Sequence, residues 1–241
     1  MVTLKMAIIF LMEQIRTPFS LIWTIMSPTV LFFFLHFNEI ELHYGDTAWL
    51  GKQISWFVGY ISFSVVLFNY CLYLVGRRES GFIATFVHNM DGRLLFIRSQ
   101  LIASLIMSIL YVFFFILVEL TGFQASPDYQ IVMIILKSIY INAFMMVSLT
   151  FMASFRVTFQ TASTIYSVLI TVCMVSGIVS LKYNEGIVYW INQVNPIAIY
   201  STILQSDQEL SLMTIFFYSI MLIISIISAL TFKTEPVWSS Q

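Results

Sequence analysis

The sequence predicts an all-α membrane protein: six transmembrane helices, an N-terminal interfacial helix, a cytoplasmic helix after helix 2, and short outer helices between helices 5 and 6. Three observations predict it. Of 241 residues, 59% are hydrophobic and only 10% charged, and a mean hydropathy of +0.91 lies far above that of a water-soluble domain. Apolar runs of about 20 residues, the length a helix needs to cross a hydrocarbon core of about 30 Å, recur along the chain. Lysine and arginine gather at alternate ends of those runs.

The first element, MVTLKMAIIFLMEQIR, is too short and too interrupted to span. At about 100° per residue, Lys5, Glu13 and Arg16 fall on one stripe, which suits a helix lying in the cytoplasmic interface with that stripe to water. The order of charged, apolar and small residues that marks a cleavable signal is missing, so the chain is expected to insert uncleaved. Pro18 separates this helix from the first span. Spans are predicted over residues 19–37, 54–76, 97–118, 131–155, 157–181 and 210–232. Arg77 and Arg78 close the second, Arg156 the fourth, Lys182 the fifth and Lys233 the sixth.

Orientation follows from the basic residues. With the amino terminus inside, Lys5, Arg16, Arg77, Arg78, Arg93, Arg98, Arg156 and Lys233 are cytoplasmic, and Lys52, Lys137 and Lys182 lie on or near the outer side. An even number of spans places both termini in the cytoplasm. Residues 182–209 are too apolar for a solvated loop and too broken for a span. Ile187, Ile191 and Val194 share a face, and Asn195 before Pro196 reads as an N-cap with proline at the first helical position, so two short outer helices are expected. With no internal repeat and no long linker, residues 1–241 form a single transmembrane domain.

The composition excludes several functions. A net charge of −1 without a local basic patch gives no nucleic-acid signal. The chain lacks a GxxxxGK[ST] phosphate loop, so any ATP that drives it is bound by another chain. His36, His43 and His88 lack metal-site spacing, and no GxSxG elbow is present. Asp91-Gly92-Arg93 matches only a fragment of the head-group transferase motif and reads as a turn opening the third span. Cys71 and Cys173 lie in apolar runs and read as packing residues. Lys137 lies near the outer end of its helix, where its stem can snorkel. Asn69, Asn142 and Gln160 either line a path or bond between helices. Glu119, at an outer boundary, is the one carboxylate near a span, which argues against a proton-coupled secondary transporter.

Residues 77–98, RRESGFIATFVHNMDGRLLFIR, form the one substantial cytoplasmic segment between spans. Residues 79–88 can form a short helix with Phe82, Ile83 and Phe86 on one apolar face, while the arginines at both ends suit anionic lipid or a partner protein. Together with the interfacial N-terminal helix, Ser27-Pro28 inside the first span, Arg78-Glu79-Ser80-Gly81 after the second and Asn195-Pro196 before the sixth, this segment resembles the membrane subunits of type 2 ABC exporters, the ABC-2 permeases. The likeness runs through nearly the whole chain, in short and degenerate motifs.

That resemblance implies a coupling helix formed by Arg77, Arg78, Glu79, Ser80, Gly81, Phe82, Ile83 and Phe86, seated on a separate cytoplasmic ABC ATPase. It implies a second permease copy or a related permease, an outer gate at Asn195 and Pro196, and ATP and magnesium in the partner subunit, with no cofactor, catalytic residue or metal in this chain. The short outer loops are similar to those of compact members that export amphipathic peptides, toxins or drugs across the cell membrane. Two other readings stay open. One is a polysaccharide exporter of the same architecture, for which Trp49, Trp56 and Tyr60 would face sugar. The other is a membrane protein without ATP coupling, either a secondary transporter or an intramembrane enzyme.

Overall fold

A computed structural model describes residues 2–16, 18–86, 89–182, 185–205 and 212–230. Among them every regular element is a helix. In chain order these are α1 (Val2–Ile15), α2 (Pro18–Leu35), α3 (Thr47–Glu79), α4 (Phe82–Phe86), α5 (Met90–Gly122), α6 (Tyr129–Ser154), α7 (Phe159–Lys182), α8 (Gly186–Val194), α9 (Pro196–Gln205) and α10 (Leu212–Leu230). Four helices are long and apolar enough to cross a membrane: α3, α5, α6 and α7. Two further apolar helices, Thr24–Leu35 within α2 and Thr214–Leu230 within α10, are shorter over their described residues.

Two of the four outrun the predicted spans. α3 and α5 each run 33 residues, about 50 Å at 1.5 Å per residue, so their ends pass beyond a hydrocarbon core of about 30 Å. Caps set those ends. The Asp46 carboxylate accepts the Trp49 N–H at 3.0 Å and starts α3 well before the apolar run. Asn89 accepts the Gly92 N–H at 2.8 Å and starts α5, so Asp91-Gly92-Arg93 is the first turn of that helix. The Trp49 N–H holds the Asp46 carboxyl below its ordinary value of 3.8, outweighing the opposing effect of burial, with smaller help from the His43 ring. A depressed carboxyl contributes stability above that ordinary value and loses it as pH falls through its own lower one. Protection of the Trp49 amide from exchange, taken relative to its intrinsic rate at each pH, is therefore expected to fall below about pH 4, and Asp46→Asn, which caps without titrating, should flatten that dependence.

α3 is the central element, with 72% of its apolar stretch buried against 28% for α7. Its N-terminal half packs in an aromatic cluster, where Phe57 meets Phe32 at 5.0 Å between ring centroids and Phe115 at 6.1 Å. Mid-helix, Gly59 lets α3 cross α9 at backbone contact, since a Cβ there would lie 2.9 Å from the Ile197 carbonyl oxygen. Residues Val65–Leu72 wind as a π-helix. The wider turn leaves the Asn69 carbonyl to accept from Gln100 Nε2 at 2.7 Å and Ser104 Oγ at 3.0 Å, which ties α3 to α5.

A second polar tie lies deeper. Asn142 of α6 donates to Ser108 of α5 at 2.6 Å and to Ser62 of α3 at 3.3 Å, and accepts from the Tyr200 hydroxyl of α9 at 2.7 Å. All four residues are buried. Asn142 is thus an interhelical fastener rather than a path residue, because each polar atom of its amide is engaged inside the bundle. Asn69 Nδ2 reaches the Tyr111 hydroxyl at 3.4 Å, whereas Gln160 is exposed. Both cysteines are free and buried. Exposed apolar side chains cover α7 (Val168, Val172, Val175) and α10 (Phe216, Ile223, Ile227), the surface expected to meet lipid.

Candidate functional site

The candidate site is the end of α3 with the short helix that follows it. α3 stops because Gly81 takes φ +74°, a left-handed C-terminal position that a side chain would strain. The Ser80 N–H closes on the Gly76 carbonyl at 2.9 Å, and the Ser80 hydroxyl donates to the Arg77 carbonyl at 3.0 Å. α4 then turns back against the bundle. Its Ile83 is fully buried, Phe82 is half-buried, and the exposed Thr85 bonds only the Gly81 carbonyl at 3.0 Å. The side chain of Phe86 and residues 87–88, including His88, lie outside the described residues.

The arginine pair divides. Arg77 turns toward α1, where it pairs with Glu13, and the Tyr73 hydroxyl also donates to that carboxylate. Its guanidinium lies 4.9 Å from the Tyr73 ring centroid and 4.7 Å from that of Phe82. Arg78 turns inward and is 1% exposed. It donates to the Ala153 carbonyl at 3.1 Å and the Val157 carbonyl at 2.9 Å, on either side of the turn from α6 to α7, with Glu79 Oε1 3.6 Å from its Nε. The end of α3 is thereby held to α1 through Arg77 and to the α6–α7 turn through Arg78. Across the site, Arg93 of α5 donates to the Leu230 carbonyl at the last residue of α10, at 3.0 Å.

Between α1 and α4 lies a cleft of about 510 Å³ with Ile8, Ile9 and Met12 on its wall and Glu13, Arg16, Arg77 and Phe82 around it. The polar stripe of α1 therefore does more than face water, since Glu13 is spent on Arg77 and Tyr73. Sequence reasoning missed the division of the arginines, although a signal was present. Cys71, Leu74, Val75 and Arg78 follow i, i+3, i+4, i+7 spacing, which puts Arg78 on the buried face. Tyr73 and Arg77 are likewise an i, i+4 pair.

The Asn195-Pro196 pair is anchored as capping chemistry predicts. Asn195 Oδ1 accepts the Ile197 N–H at 3.0 Å and caps α9, Pro196 is the first helical residue, and Asn195 Nδ2 donates to the Cys173 carbonyl at 2.8 Å and to Ser176 Oγ at 3.1 Å. The two short helices expected here are α8 and α9, and Ile187 and Ile191 of α8 point outward. His36 and His43 serve packing: His43 stacks on Trp49 at 4.2 Å and His36 meets the same ring edge-on at 5.4 Å. Among the described residues no three metal-ligating side chains cluster. Glu119 is buried with both carboxyl oxygens lacking a hydrogen-bond partner. No protein-family model matches the chain.

Proposed function

We propose that this chain is the membrane subunit of an ATP-driven exporter of the ABC-2 kind. In this reading six helices (α2, α3, α5, α6, α7 and α10) cross the cell membrane with both termini cytoplasmic. α4 and the residues flanking it receive motion from a separate ATPase. Two such subunits pass an amphipathic substrate (a peptide, toxin or drug) outward, with the Asn195-Pro196 corner closing the outer end.

The observation that carries the reading is the bonding of the α4 segment. A surface loop that merely satisfied the charge asymmetry of the membrane would need no joints, whereas here a five-residue helix adjoins Arg77 and Arg78, which hold α1 and the α6–α7 turn. Such joints let a displacement of α4 move several helices as one body. Arg78 and Ile83 act as positioning residues, being buried. Ser80 and Thr85, which are exposed, remain for a partner to touch.

The test is co-expression with a Walker-motif ATPase encoded beside this gene. Ser80→Arg with Thr85→Arg, both at exposed positions, should cut co-purification at least about 30-fold, as loss of a 2 kcal/mol contact would, while detergent stability stays at the wild-type level. Wild-type recovery of the ATPase with that variant would sink the coupling assignment. The buried, unbonded carboxyl of Glu119 favours a second reading, a proton-coupled transporter. Substrate uptake driven by a pH gradient in vesicles holding this chain alone, lost in Glu119→Gln, would favour that reading over the exporter.

A further inference from the structure

Glu119 stands in an aromatic joint at the Gly122 end of α5. It is fully buried, and among the described residues neither of its carboxyl oxygens has a hydrogen-bond partner. Phe115 and Phe123, one turn before it and one turn after, both pack on Phe32 of α2, at 6.1 and 5.8 Å between ring centroids. Phe115 also meets Phe57 of α3 at 6.1 Å, and Phe123 meets Trp49 of α3 at 5.5 Å. Gly122 draws α2 closer still, because a Cβ there would lie 2.5 Å from the Phe33 ring. The other titratable groups around the joint are engaged elsewhere or exposed. On α2, His36 Nδ1 bonds the Phe32 carbonyl at 3.0 Å, and its Nε2 lies 4.0 Å from Glu39. Between α2 and α3, His43 reaches Asp46 at 3.4 Å and Glu41 is exposed. Lys52 of α3 is exposed at the cleft that Tyr129 lines, and Asp128 caps α6. From residue 99 to the end of α5, Glu119 is the one charged residue.

We infer that Glu119 is a proton-held latch: protonated, it lets α2, α3 and the Gly122 end of α5 close on one another, and once ionised it draws water between them. A carboxylate buried without a partner carries a desolvation cost that the neutral acid avoids, so the joint closes with the proton on. In an opened joint the group meets water, where a carboxyl of this kind ionises at about 4.3. Opening therefore releases one proton. Closure is fully favoured below about pH 4.3 and weakens above it, by up to about tenfold per pH unit. The latch requires neither an ATPase nor a moving substrate, so it stands apart from both transport readings.

Amide exchange of the full chain in nanodiscs tests the latch, with protection taken relative to the intrinsic rate at each pH. Protection over residues 29–35 and 115–122 should fall at least about tenfold from about pH 5 to about pH 8, while residues 141–149 of α6, around the buried Asn142, hold theirs. Glu119→Gln, neutral at every pH, should remove the dependence. Glu119→Leu should do the same and raise protection at about pH 8, which keeps the test decisive if the amide variant misfolds. A flat wild-type profile overturns the inference. So does a fall of equal size in Glu119→Gln or Glu119→Leu, which would place the titration on His36 or His43, and so does an equal fall over residues 141–149, which would be a loosening of the whole bundle.

Discussion

Arg78→Met is expected to destabilise the protein by about 3 to 5 kcal/mol, the range for removing one partner of a buried charged group. The methionine fills the stem's volume but leaves the Ala153 and Val157 carbonyls without their donors and the Glu79 carboxylate without its neighbour. Ala153 lies in the last turn of α6, where carbonyls have no intrahelical partner, so the arginine acts as a cap supplied from another helix. Lysine should recover less than half of the loss, because one ammonium cannot reach two divergent carbonyls as a planar guanidinium does. Arg77→Gln is the comparator. Its ion pair with Glu13 is partly exposed, so its loss should cost no more than about 1 kcal/mol. Thermal unfolding in detergent measures all three, and equal effects at the two arginines would contradict the division of their roles.

Gly59→Val is expected to destabilise the protein as well, by a different route and by somewhat less. Its Cβ would fall 2.8 Å from Tyr200 Cβ and 2.9 Å from the Ile197 carbonyl oxygen, and the second of these is backbone that cannot rotate away. α9 must shift, at about 1 to 3 kcal/mol for overpacking. The shift also draws the Tyr200 hydroxyl from Asn142 Oδ1, adding about 0.6 kcal/mol for an interhelical bond in a membrane bundle. Combined with Tyr200→Phe, the effects should therefore be less than additive. Gly51→Ala supplies the control. Its added carbon would meet Ile134 Cδ1 at 3.6 Å, an ordinary contact, so stability should stay within about 0.5 kcal/mol of wild type.

What was legible in the sequence was local. Hydropathy located the long apolar helices, and capping chemistry placed Asn195 and Pro196, because a cap depends on residues within a turn of each other; the Asn89 cap, which starts α5 ahead of the predicted span, was not read from the sequence. Where a side chain points across the bundle depends on rotation about the helix axis, which no window of composition contains. Arg78 looked like half of a surface pair and is interior. Phe82, Ile83 and Phe86 looked like one outward face, yet Ile83 fills the chain's own core, so its apolar character needs no partner. The meeting of Asn142 with Tyr200 joins residues dozens of positions apart that only the packing brings together.

The π-helical stretch of α3 has a consequence for phase. Ser62 and Arg78 both reach α6, at Asn142 and Ala153. On α6 those two positions differ by about 20° around the axis, so its face runs straight, whereas on an ideal α3 the sixteen steps from 62 to 78 would leave about 160° between them. Tyr70 and Cys71, inside the stretch, also meet α6, at the Thr150 hydroxyl and the Leu149 carbonyl. A wide turn takes up about one extra residue, or ~100° of rotation, and brings the two contacts onto one side. The stretch works as a vernier between the halves of α3: without it, the polar tie at Ser62 and the arginine at 78 could not both face the same neighbour.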